Sequence, residues 1–230
     1  RGLLHTAIFR YLVVLGWVSA LGLSGWARAA DAPLAVDGIL DLRDWNFGAD
    51  GAVDLRGEVE FFWGVHRSSD EIAVATANAE LDYTRIPGSW NNHIRRGMPV
   101  GGSGIATYRV NVLVADGQPL ALKIPDIGTA YSLEIDGRDM VEVGQPGSEK
   151  AKTIPRYNPT FVQFTPRNQR VELVFQVSNF DHRLGGMWLP VRIGQPAQLR
   201  DERDRGIGLD VALFGCVLVL GLYNLVHFAV

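Results

Sequence analysis

The stretch Arg170–Asn179, RVELVFQVSN, places the apolar residues Val171, Leu173, Phe175 and Val177 at every second position. A run of that period can bury one face as a β-strand and cannot do so as a helix. Three further stretches repeat it: GEVEFFWG, with Val59, Phe61 and Trp63 on one face; IATYRVNVLV, with Ala106, Tyr108, Val110, Val112 and Val114; and AYSLEIDG, with Tyr131, Leu133 and Ile135. Shorter strands are predicted at Gly38–Leu42, Tyr83–Ile86, Leu120–Ile124, Met140–Val143, Phe161–Phe164 and Trp188–Ile193. Asp136-Gly137 between two of these runs is a strong hairpin signal. Between residues 31 and 200 the only stretch ambiguous between helix and loop is EIAVATANAEL, Glu71–Leu81. About nine or ten short strands punctuated by Gly and Pro predict an all-β fold, a β-sandwich of jelly-roll type. Internal repeats and Gly/Ser-rich or Pro-rich linkers are lacking between 31 and 199, so this region is read as one domain.

The two ends have a different character. Residues 1–30 run from Arg1 and Arg10 through an apolar stretch to Ala27-Arg28-Ala29, the order of a signal peptide, with an uncleaved anchor as the alternative. At the other end RDERDRG, residues 200–206, reads as a juxtamembrane linker. Residues 207–230 follow it with no charge after Asp210, long enough for a first transmembrane helix. The chain is expected to be a fragment of a longer membrane protein, with residues 31–206 extracytoplasmic, on the periplasmic side of a bacterial inner membrane. A net charge of −3 argues against nucleic acid as a partner. The single cysteine, Cys216, lies in the apolar run, so the exported domain must be held by its core.

Several motifs occur in a fixed order: Leu55-Arg56-Gly57-Glu58-Val59-Glu60-Phe61-Phe62-Trp63, then Ile86-Pro87-Gly88-Ser89-Trp90, then GIATYRV, then Ala130-Tyr131 to Gly137, then Val177-Ser178-Asn179-Phe180 with Arg183 and Gly185-Gly186. With the apolar run behind them, they resemble the extracytoplasmic sensor domain of bacterial seven-transmembrane receptors with diverse intracellular signalling modules. Val59 and Asp136 depart from that pattern, standing where an aromatic residue and an Asn are usual. A more distant resemblance is to the galactose-binding-like jelly roll at the start of some β-galactosidases and β-glucuronidases. The first resemblance implies ligand sensing outside the membrane, relayed to a cytoplasmic diguanylate cyclase, histidine kinase or adenylate cyclase that this sequence does not contain. The alternatives are a membrane-anchored carbohydrate-binding or glycosidase-accessory domain, and a protein-docking domain.

Enzyme chemistry has little support in this segment. Glycoside hydrolysis needs two carboxylates across a cleft, whereas Glu58 and Glu60 share one strand face that reads as solvated. His66, His93 and His182 lack metal-ligand spacing, and neither a metal nor another cofactor is predicted. Gly101-Gly102-Ser103-Gly104 precedes a strand rather than a helix, so it reads as a flexible loop and not a phosphate cradle. Two loops combine planar polar groups with aromatic faces, as a carbohydrate or other small ligand would require. One carries Trp90, Asn91, His93 and Arg95; the other carries Asn179, Asp181, His182, Arg183 and Trp188. The bland reading of both loops is structural: core aromatics, turn formers and tethers. The expected partners are the small ligand, the membrane and a second copy of the chain as a homodimer.

Overall fold

The computed structural model describes residues 32–76, 81–115 and 117–229; the proposed signal peptide lies outside them. The chain is mostly antiparallel β-structure ending in one long apolar helix. The larger sheet contains β1 (Ile39–Asp41), β3 (Gly57–Trp63), β4 (Tyr83–Ile86), β7 (Gly104–Leu113), β9 (Ala130–Ile135), β10 (Arg138–Val143) and β12 (Arg170–Asn179). Its order is β10-β9-β12-β7-β3-β4, with β1 parallel to the end of β7. The smaller sheet is β11 (Thr160–Phe164), β8 (Leu120–Ile124), β13 (Arg192–Gly194) and β2 (Val53–Asp54). A separate two-stranded hairpin pairs β5 (Ile94–Arg95) with β6 (Met98–Pro99).

The four long alternating stretches form β3, β7, β9 and β12, and their predicted inner faces are the core. Val59, Phe61, Tyr108, Val112, Leu133, Leu173 and Phe175 are buried, together with Leu120, Leu122, Ile124 and Ile193 of the smaller sheet. Asp136 and Gly137 both adopt positive φ, the two-residue turn expected between β9 and β10.

Three expectations are corrected. The last strand is not Trp188–Ile193 but the shorter β13: Pro190 has no N–H to give a sheet, and Met187 ahead of it is buried in the core. The stretch 200–206 is not a separate linker in conformation. It is helical, within one α-helix, α3 (Pro196–Ala229), in which Pro196 takes the first position, where a missing N–H costs nothing. Glu60 does lie on the outer face of β3, but that face is covered there: Glu60 is 4% exposed, and Gly38 packs against its side chain. Its carboxylate accepts from Arg109 Nε at 2.6 Å, and Arg109 also reaches Glu172 at 3.4 Å.

Residues 77–80 of the ambiguous segment lie outside the described residues, and its first part belongs to α2 (Ser69–Thr76), the helix that follows the single turn α1 (Phe47–Asp50). Ile72 of α2 is fully buried although Val74 is exposed. The approach to α2 is strapped across the outer face of the larger sheet by polar side chains. Thr107 Oγ1 accepts from Arg67 N at 3.0 Å and donates to the Val65 carbonyl at 2.9 Å. Gln176 Nε2 donates to the Arg67 carbonyl and to Glu134, and Glu134 accepts from Ser69 N. His66 sits between the Val177 carbonyl and Ser178 Oγ, where burial lowers its pKa.

The start of α3 is seated on the domain. Leu199 is fully buried, Gln198 Nε2 donates to the Phe47 carbonyl at 2.6 Å, and Arg192 of β13 bridges Asp54 of β2 and Glu202 of α3 at 3.1 and 2.5 Å. From Ile207 onward the helix is exposed nearly all round, and among the described residues it is the one helix long and apolar enough to cross a membrane. The domain therefore has two poles. Phe47, Val114 and Leu120 mark the pole at α3. The ends of β3 and β12 and the start of β7 mark the opposite pole, about 30 Å away along the ten residues of β7.

Candidate functional site

At the pole far from α3, β3 ends in three consecutive aromatics, Phe61, Phe62 and Trp63, and the strap begins. Phe62 points to the outer face, out of step with a solvated surface, and Trp63 to the inner one. Together with Phe61, Gly64, Val65, Arg67, Leu81, Asp82 and Arg95 they line a cleft of about 490 Å³. That size suits a small molecule rather than a chain segment. Phe62 and Trp63 supply the accessible aromatic surface of the cleft, since Phe61 is 1% exposed. Arg67 lies with its guanidinium 5.2 Å from the Phe62 ring centre, a cation–π contact, while its backbone is held by Thr107 and Gln176. Arg95, from the exposed β5–β6 hairpin, also lines the cleft and donates from Nη1 to the Trp63 carbonyl at 2.6 Å. Asp82 is engaged by His93 Nε2 at 2.9 Å, and His93 packs edge-on against Phe61 with ring centres 4.6 Å apart.

The loop residues singled out from sequence fall into two groups. Arg95 lines the cleft, and His93 stands behind Asp82. The others build the corner beside it. Trp90 is 1% exposed, stacks on Tyr108, meets Trp63 edge-on and donates from Nε1 to the Gly102 carbonyl. A group so covered cannot offer a face to a ligand, so the binding role foreseen for it is corrected to a packing role. Asn91 ties the two loops together: its Nδ2 donates to the Arg183 carbonyl at 2.8 Å, and its Oδ1 accepts from Gly185 N at 3.0 Å. Asn179 is fully buried, donates to the carbonyls of Gly102 and His182 and accepts from His182 N. It too is a structural tether, because its donors and its acceptor are already in use.

Asp181, His182 and Arg183 are exposed. Asp181 pairs with Lys150 at 3.2 Å, and His182 folds back on Leu184 and tilts against Trp188. Trp188 closes over Gly128, where a Cβ would stand 1.9 Å from the indole. Gly185 answers to the same kind of constraint, since a Cβ there would lie 2.2 Å from Trp90. It is glycine for space, and Gly186, at φ +102°, is glycine both for its backbone angle and because a Cβ would stand 2.6 Å from the Tyr108 hydroxyl. The glycine-rich 101–104 stretch is likewise packed into this junction, with the Gly102 carbonyl accepting from both Trp90 and Asn179. Phe62, Trp63, Arg67 and Asp82 were not foreseen as site residues. The available signal was Phe62, an aromatic at an outward position of an alternating strand.

The cleft holds one carboxylate, Asp82, already hydrogen-bonded to His93. Among the described residues no cluster of His, Cys, Asp and Glu is placed to hold a metal.

No protein-family model matches the chain, and no curated protein matches it. Glycosidases are among the solved structures that match part of the chain. A GH2 beta-galacturonidase from Eisenbergiella tayi, bound to galacturonate, matches 63% of this chain and 24% of its own at 15% identity and a TM-score of 0.44. The beta-glucuronidase of Ruminococcus gnavus matches 62% of this chain and 28% of its own at 11% identity and a TM-score of 0.45. A putative beta-galactosidase from Bacteroides fragilis matches 62% and 22% at 13% identity, again with a TM-score of 0.45. Each match spans less than a third of the neighbour's own length, and at this level of similarity none bears on what the chain does.

Proposed function

We propose that this chain is the extracytoplasmic ligand-sensing part of a bacterial membrane signal transducer. In this reading the sandwich is a jelly roll, residues 1–30 are a signal peptide, and the cleft at the far pole takes a carbohydrate or other small ligand. The observation that carries the reading is the continuity of α3. Its first turns are fixed to both β13 and β2 through Arg192 and Leu199, and the same helix becomes the apolar span with no loop between. A domain that merely needed an anchor would be served by a flexible tether. A rigid helical joint transmits displacement, and a relay needs such an element biased by the ligand.

Two measurements test this. A phosphatase active only outside the cytoplasm, fused after Lys150 in the exposed turn Lys150–Lys152, is expected to be active in intact cells. Activity instead from a reporter that works only in the cytoplasm overturns the topology. Inserting about ten Gly/Ser residues after Gly206 is expected to leave binding unchanged while abolishing any ligand-dependent change at a fluorophore on Cys216. A response that survives the insertion unaltered overturns direct coupling through α3.

A further inference from the structure

We infer that the far-pole cleft selects a small anionic ring, one carrying a carboxylate or a comparable acidic group on a flat or sugar-like body. The inference rests on the ligand-sensing reading above and names the chemistry of its ligand. It starts from how the arginines of this face are used. Arg85 is paired with Glu58, and Arg109 with Glu60 and Glu172. Arg170 is held by Asn111. The two arginines in the cleft differ: among the described residues neither Arg67 nor Arg95 has a carboxylate partner, and the cleft's own carboxylate, Asp82, is engaged by His93.

Both guanidinium groups are nonetheless placed. Arg67 is half-buried, with its N–H and carbonyl both fixed to the sheet and its charged plane over Phe62. Arg95 spends one donor on the Trp63 carbonyl. A guanidinium carries five N–H donors in a planar fork that fits an acidic group in pairs, and two such forks in one cleft favour a negative charge between them. The half-buried aromatics Phe62 and Trp63 call for a flat or apolar ring face on the same molecule. A cation is repelled by this pair, and a neutral ring would leave most of the donors unused. Arg67 belongs to the strap ahead of α2 and Arg95 to the β5–β6 hairpin. A ligand anion shared between them would therefore join two surface elements that are otherwise linked through the sheet.

The test uses the full chain in lipid nanodiscs and matched probes that differ only in charge: galacturonate against galactose, and benzoate against benzyl alcohol. In calorimetric titration the acid of at least one pair is expected to bind about tenfold or more tightly than its neutral partner. Which pair responds separates a sugar acid from an aromatic acid. The preference is expected to shrink with added sodium chloride and to be lost in the Arg95→Gln and Arg67→Gln variants, with the thermal midpoint of Arg95→Gln unchanged. Equal binding of acid and neutral partner overturns the inference while leaving the sensing reading intact, as does an acid preference that survives in the double variant. Failure of every acid to bind at millimolar concentration also overturns it. Failure of the sensing reading itself shows separately, in the reporter topology at Lys150.

Discussion

Replacing Arg109 with Met is expected to destabilise the domain by about 3–5 kcal/mol at neutral pH, the usual cost of removing one partner from a buried ion pair. Glu60 is 4% exposed and accepts from Arg109 at 2.6 Å, so the variant strands a carboxylate beneath Gly38 and beside β7. Burial already raises the Glu60 pKa in the native chain, and the hydrogen bond from Arg109 pulls it back down. A carboxyl whose pKa is higher folded than unfolded holds its proton more tightly in the folded state. Its contribution is complete below the unfolded value and is lost as pH rises through the folded one. Without Arg109 the opposing pull disappears and the window widens upward. The variant should accordingly recover part of its lost stability when the pH is lowered from 7 to about 4–5, as Glu60 takes up a proton. Adding Glu60→Gln to the variant should recover part of it at pH 7. Thermal melts across this pH range provide the measurement. A loss below about 1 kcal/mol with no pH recovery would mean that the pair is solvated in solution, as the alternation alone suggested.

Trp90→Ala is expected to cost about 3–5 kcal/mol, as for other buried aromatics, because the indole fills the space between Tyr108, Trp63 and Gly185. Arg183→Gln, two residues from Gly185 in the facing loop, is expected to change stability by no more than about 0.5 kcal/mol. Only the Arg183 carbonyl, which accepts from Asn91, is used by the fold, and its side chain is exposed. Melting the two variants side by side separates a packed corner from a ligand loop. If Trp90→Ala melts as the native chain does while losing binding, the corner is a ligand-reading loop after all. The cleft lined by Arg67 and Arg95 would then not be the site.

What could be read from the residues was the strand set. β3, β7, β9 and β12 lie where period-2 alternation put them, and the β9–β10 turn falls at Asp136-Gly137, since strand period and turn angles are local properties of the backbone. The predominance of strands and the long apolar helix followed from the same local information. Which outward face stays wet was not local. Glu58 and Glu60 share a face, but the turn at Gly38 packs on the Glu60 side chain and touches Glu58 through its backbone carbonyl, which leaves the Glu58 side chain exposed. The candidate site followed the same pattern. Trp90, Asn91 and Asn179 are polar or aromatic loop residues of the kind a ligand site uses, yet the fold brings the two loops together and spends those groups on each other. Phe62, Arg67, Asp82 and Arg95 lie as much as 33 positions apart in sequence and form one cleft because β3, the strap and the β5–β6 hairpin end at one pole. The sequence by itself determined which segments pair as strands and which segment can cross a membrane, because both depend on the period and length of apolar runs. Only the tertiary structure decided which polar groups are left facing solvent with donors to spare, because burial and hydrogen-bond satisfaction are set by residues distant in the chain.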